Sequence, residues 1–170
     1  MENKSLYDLA LNIATKAHEG VEDKGGTDYI QHPITVSRFI DRNTTQPILK
    51  GLMPYFTDEM IQKAKIIALL HDVIEDSIVT FDDLRNKGIP EDICDVVLLL
   101  TNTGKRPYEV YIEGIKANPL ACLVKIADMV HNSDLSRLKA ITPHNLHKAE
   151  DYKLGIMKLS KHLKDTLSVY

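Results

Sequence analysis

The run Ala64-Lys65-Ile66-Ile67-Ala68-Leu69-Leu70-His71-Asp72-Val73-Ile74-Glu75-Asp76 is mostly apolar until it meets the doublet His71-Asp72. A strong helix is expected from about Asp58 to Val73, and helical spacing puts His71 on the face that carries Ala64, Ile67 and Ala68. That face should be buried. Asp72 follows at once in the same apolar setting, and an ionised carboxylate taken out of water needs a positive partner. A salt bridge would meet that need, and so would a metal ion.

Outward from this run, helical periodicity continues in both directions. Leu6, Leu9, Ala10, Ile13 and Ala17 form one stripe, which ends near Gly20. The charged, glycine-containing loop Glu22-Asp23-Lys24-Gly25-Gly26-Thr27-Asp28 leads to His32-Pro33, where proline suits a helix start and holds His32 at its mouth. Residues 42–57, with Pro47, Gly51 and Pro54, read as a long loop with one short turn. Thr80 and Asp83 form a capping box for a short helix that ends at Gly88. Pro90, Pro107, Pro119 and Pro143 each mark a new helix start, and the last helix runs from about Pro143 to Leu163. No stretch alternates as a half-buried strand would. The expectation is an all-α fold of about seven or eight helices, one domain over residues 1–170.

Composition narrows the function classes. A chain of 170 residues that is 44% hydrophobic and 26% charged is an ordinary globular sequence. Its formal charge of -3 argues against a nucleic-acid polymer as partner, while a few converging cations still suffice for a small anionic ligand. Apolar runs such as Val96 to Leu100 are too short to span a bilayer, so no membrane association is expected. The mixed charge of Met1-Glu2-Asn3-Lys4 is unlike a secretory leader, and Cys94 and Cys122 read as buried, reduced thiols. A cytoplasmic protein follows; homo-oligomer formation is left open.

Two further polar intrusions match the first. In Leu123-Val124-Lys125-Ile126-Ala127-Asp128-Met129-Val130-His131-Asn132, Asp128 interrupts an apolar helix and shares a face with Val124, His131 and Asn132. His32 sits between Tyr29-Ile30 and Pro33-Ile34. Two imidazoles and two carboxylates suit Mn²⁺, Fe²⁺ or a related ion, whereas a structural zinc site would more often use thiolates. Taken singly, each of these residues reads as a hydrogen-bonded or ion-paired core group; the doublet together with His32 and Asp128 shifts the balance to a metal. His18, His144, His147 and His162 keep the structural reading, since nothing in their sequence context singles them out.

Three blocks, in order, resemble the HD superfamily of metal-dependent phosphohydrolases, and within it the hydrolase domain of the RelA/SpoT family and the small alarmone hydrolases. They are Ala17-His18-Glu19 through Tyr29-Ile30-Gln31-His32-Pro33, then Ala68-Leu69-Leu70-His71-Asp72-Val73-Ile74-Glu75-Asp76, then Leu123 to Asp128 with His131-Asn132. The likeness covers residues 10 to 138 and leaves out the synthetase and regulatory domains of the long members, so alarmone synthesis is not expected. The resemblance implies that His32, His71, Asp72 and Asp128 ligate a metal, usually Mn²⁺, and that Glu75 and Asp76 position or activate the attacking water. Helical spacing agrees, placing Glu75 one turn beyond His71 and Asp76 one turn beyond Asp72. For substrate binding the candidates are Lys24, Lys125, Asn132 and Arg137. Lys24 and Asn132 match family positions, Lys125 precedes Asp128 by one turn, and Arg137 is expected farther along the same helix.

Two departures bear on the substrate. The family loop Arg-Lys-Ser-Gly is here Asp23-Lys24-Gly25-Gly26, and the Met-Arg that usually follows the His-Asn pair is Ser133-Asp134. A carboxylate in place of a cation should weaken polyphosphate binding. The expected activity is release of pyrophosphate from the 3′ position of a (p)ppGpp-type nucleotide. The alternative is an HD-type nucleotidase or phosphatase acting on a nucleoside monophosphate or other small phosphoester.

Overall fold

The computed structural model describes residues 2–168; among these the chain is helical, with one isolated β-bridge, Glu22 to Asp28, closing the loop before His32. The helices are α1 (Glu2–Ala17), α2 (Gln31–Phe39), α3 (Pro47–Leu52), α4 (Asp58–Leu70), α5 (Val73–Asp76), α6 (Phe81–Asn86), α7 (Glu91–Leu100), α8 (Tyr108–Ile115), α9 (Pro119–Asn132) and α10 (Pro143–Leu167). Short 3-10 turns cover Met53–Tyr55 and Leu135–Arg137. The all-α expectation holds. The count exceeds seven or eight because α3 and α5 are extra short segments of 6 and 4 residues, α3 lying within the expected long loop.

Local chemistry accounts for most helix starts from α4 onward. Thr57 caps α4 by accepting from the Met60 N–H, with Asp58 and Glu59 in the first turn where the helix dipole favours acid. Reciprocal capping boxes start α6 (Thr80 with Asp83) and α10 (Thr142 with Asn145). Pro119 and Pro143 open α9 and α10, while Pro90 and Pro107 stand just before α7 and α8. Beyond α6, Gly88 takes φ of 99°, a left-handed conformation that a side chain would resist.

Two expected boundaries differ. Helix α4 stops at Leu70 instead of continuing to Val73, and His71-Asp72 form a turn before α5. Successive residues on an unbroken helix point about 100° apart, so the break lets neighbouring side chains converge on one point. Likewise α9 ends at Asn132, and Arg137 lies in the following 3-10 turn, not on the same helix.

The core is built around α4 and α9. Helix α4 packs against α1, α2, α7 and α9, while α9 also meets α2, α7 and α10. Ile67, Leu69 and Leu70 on α4 and Leu123 and Ile126 on α9 are completely buried. Burial of each such side chain contributes roughly 1.5–3 kcal/mol. These two helices form the buried floor of the site: α4 leads into His71-Asp72 and α9 carries Asp128.

Candidate metal centre and cleft

Three parts of the chain bring four candidate side chains together. His32 comes from the first turn of α2, His71 and Asp72 from the turn after α4, and Asp128 from the middle of α9. His32 Nε2 lies 2.9 Å from Asp128 Oδ1 and 3.5 Å from Asp72 Oδ2. His71 Nε2 lies 3.0 Å from Asp72 Oδ2 and 3.5 Å from Asp128 Oδ1. His32, His71 and Asp128 are buried and present ligand atoms all within 4.8 Å of one another, a cluster that fits a divalent metal ion.

Hydrogen bonding supports that fit. His71 Nδ1 lies 2.6 Å from the Ala68 carbonyl and is placed to donate to it, which leaves the lone pair of a neutral ring on Nε2. That Nε2 is buried and has no well-formed hydrogen-bond partner, although two carboxylates approach it. Lone pairs facing carboxylates repel unless a cation or proton lies between them. Burial lowers the affinity of His71 for a proton, but Asp72 and Asp128 outweigh it and hold the imidazole well above its usual range. A divalent ion answers the same electrostatic demand. On Asp72 and Asp128, burial acts to raise the pKa; His71 for Asp72, and Lys125 with the two histidines for Asp128, pull both below the ordinary carboxylate range.

A second layer holds these donors. Lys125 Nζ is 2.8 Å from Asp128 Oδ2 and 5.3 Å from the Tyr111 ring centroid, with only 14% of its side chain exposed. Its ammonium is therefore committed to Asp128 and to an aromatic face. Asn132 Nδ2 donates to Asp128 Oδ1 at 2.9 Å, and the Tyr29 hydroxyl donates to Asp72 Oδ2 at 2.7 Å. His131 Nδ1 lies 2.7 Å from His32 Nδ1.

A cleft of about 500 Å³ opens beside this cluster; His32 lines it, whereas His71, Asp72 and Asp128 do not. Lys24, Asn132 and Arg137 reach its wall together with His32 and Asp76, whereas Lys125 and Glu75 do not line it. Asp76 is raised above the usual aspartate range, first by desolvation and then by the charge of Asp72. Glu75 is also raised by desolvation, and its carboxylate accepts from the Asn102 backbone N–H. Arg137 donates to Asp23 Oδ2 at 3.2 Å and to the His131 carbonyl at 3.1 Å. The acid that replaces the loop arginine is thus paired with a cation of this chain.

Several neighbours escaped the sequence. Asn145, Lys148 and Tyr152 of α10 line the cleft, in a helix beyond the resembling blocks. His18, read as structural, is 2% exposed, packs 4.9 Å from the Tyr29 ring, and has both ring nitrogens buried without a partner. Its ring neighbour Tyr29 lies across the intervening loop, where helical spacing gives no contact to read.

No protein-family model matches the chain. It is 29% identical over 168 residues to human MESH1, named a guanosine-3′,5′-bis(diphosphate) 3′-pyrophosphohydrolase, covering 92% of this chain and 84% of that one. Mouse MESH1, of the same name, is 30% identical over 152 residues, covering 85% of this chain and 76% of the relative. A solved structure, described as a metazoan ortholog of SpoT that hydrolyzes ppGpp, matches with a TM-score of 0.70 at 23% identity. That match covers 96% of this chain and 92% of the other, and at such identity it speaks for the fold.

Proposed function

The chain belongs to the RelA/SpoT-type hydrolase family that includes MESH1, and on that premise we propose that it is a 3′-pyrophosphohydrolase of guanosine 3′,5′-bis(diphosphate). Water adds to the phosphorus attached to the ribose 3′ oxygen, that ester bond breaks, and pyrophosphate leaves intact while the 3′ oxygen takes a proton. The observation that carries this reading is the convergence of His32, His71, Asp72 and Asp128 beside an open cleft that His32 lines.

These four residues are the proposed ligands, and Mn²⁺ is the proposed ion, with Fe²⁺ compatible with the same donors. Such an ion would lower the pKa of water and offset phosphate charge. Asp76 faces the cleft with a raised proton affinity, which suits it to take a proton from water and pass it on. Glu75 is tethered to the Asn102 backbone beside it and supports the acidic side of the site. Lys24, Asn132 and Arg137 face the volume where the nucleotide would lie. Lys125 serves the substrate indirectly, by fixing Asp128.

We also propose that residues 1–170 act as one HD-type domain in the cytoplasm, a setting compatible with the free, buried thiols of Cys94 and Cys122. No described helix is long and apolar enough to cross a membrane.

The test is a Mn²⁺-supplemented assay on guanosine 3′,5′-bis(diphosphate) with separate detection of phosphate and pyrophosphate. Pyrophosphate release is expected, abolished by chelation and by Asp72→Ala. Orthophosphate as the sole product would overturn the assignment. One observation favours the alternative of a smaller phosphoester: Asp23 occupies Arg137 and so reduces the free positive charge at the cleft. Turnover of nucleoside monophosphates in a panel would support that alternative.

A further inference from the structure

His131 was not among the candidate ligands, yet its ring lies against His32. The two Nδ1 atoms are 2.7 Å apart, a hydrogen-bond length. The rings are nearly parallel, at 18°, with centroids 5.0 Å apart. A contact this short is too close for ring faces, so it runs between nitrogens directed at each other. Two N–H groups cannot face one another at this separation, and two lone pairs would repel. One proton lies between them.

Which ring carries it determines what His32 presents to the cluster. A neutral imidazole has one N–H and one lone pair. With the proton on His32 Nδ1, its Nε2 presents a lone pair toward Asp72 and Asp128, as a metal ligand must. With the proton on His131, a neutral His32 carries its own proton on Nε2, and ligation there is blocked. His131 is held for this contact on two sides: the Phe39 ring meets it edge-on with centroids 5.8 Å apart, and Arg137 donates to its carbonyl at 3.1 Å.

We propose that His131 is a positioning residue that accepts the Nδ1–H of His32 and thereby fixes the tautomer in which His32 Nε2 is free to bind a divalent metal ion. This rests on the metal reading of the cluster given above. His71 obtains the same tautomer from the Ala68 carbonyl. The two imidazoles of the site are therefore set by different acceptors, one a backbone oxygen and the other a side chain.

The experiment measures Mn²⁺ affinity of the full chain from the electron paramagnetic resonance signal of free Mn²⁺, without turnover. His131→Phe keeps an aromatic ring but removes the acceptor, and about 10–100-fold weaker binding is expected. His131→Asn places an amide oxygen near the position of Nδ1 and should recover most of the affinity. Unchanged affinity in His131→Phe, or equal loss in both variants, overturns the proposal. If the wild-type chain binds no Mn²⁺ or other divalent ion, the metal reading itself fails and takes this proposal with it. Nitrogen-15 spectra of the wild-type histidines loaded with diamagnetic Zn²⁺ decide the matter without any variant. They should show His32 protonated at Nδ1 and His131 unprotonated there; the reverse overturns the proposal.

Discussion

Lys125 shows how one residue can be read in two ways that differ in what its removal would do. A phosphate-binding lysine at a surface could be replaced with a loss of substrate affinity and little effect on stability. The observed Lys125 is instead paired with Asp128, whose side chain is 6% exposed. Removing one partner of a buried ion pair leaves an uncompensated charge and commonly costs about 3–5 kcal/mol. Lys125→Met is therefore expected to lower the stability of the metal-free protein by about that amount, measured by urea denaturation. An unchanged midpoint with a raised KM would instead return Lys125 to the substrate. The motif identified Asp128, and sequence spacing put Lys125 one turn away. Neither revealed that the ammonium also lies against Tyr111, because that ring comes from α8.

Between elements, small contacts set the cleft wall. Gly25 brings its loop so close to the 3-10 turn that a Cβ there would stand 2.3 Å from the Arg137 carbonyl oxygen. Backbone cannot swing aside as a flexible side chain can. Gly25→Ala should push the loop off that turn, destabilise the protein by about 1–3 kcal/mol in thermal or denaturant unfolding, and raise KM for the nucleotide. Away from the cleft lining, Asp41 follows α2 and accepts from Lys65 Nζ of α4 at 2.9 Å. The bond to Lys65 and the Asn43 backbone N–H hold Asp41 below its usual range. A depressed carboxylate pKa stabilises the fold above the unfolded value, about 3.9, and that contribution fades as pH falls through the folded value. Asp41→Asn should therefore melt below the wild type near pH 7, and the gap in Tm should shrink as pH falls below about 4.

Across the whole molecule, the metal centre ties together α2, the α4–α5 turn and α9, which are far apart in sequence. A ligand that binds only the assembled site stabilises the fold by mass action, by about 2.7 kcal/mol at a hundredfold excess over its Kd. Chelation should accordingly lower Tm, and restoring Mn²⁺ should raise it again in differential scanning calorimetry. Asp72→Ala should remove most of this dependence.

Much of this architecture was legible before any coordinates. Apolar periodicity, capping boxes and prolines are local signals, so the all-α class and the starts of α6, α9 and α10 follow from residues near one another in the chain. The doublet His71-Asp72 was legible for a related reason: charge inside an apolar helical run needs a partner wherever the run is buried. The fold alone determined who that partner is and how it is held. The burial of His18 and the approach of His131 to His32 depend on packing between elements. Local sequence thus names the polar groups that must be satisfied and some of their partners, such as Lys125 and Asn132 for Asp128, while partners from other elements, such as His131 for His32, are chosen by long-range packing.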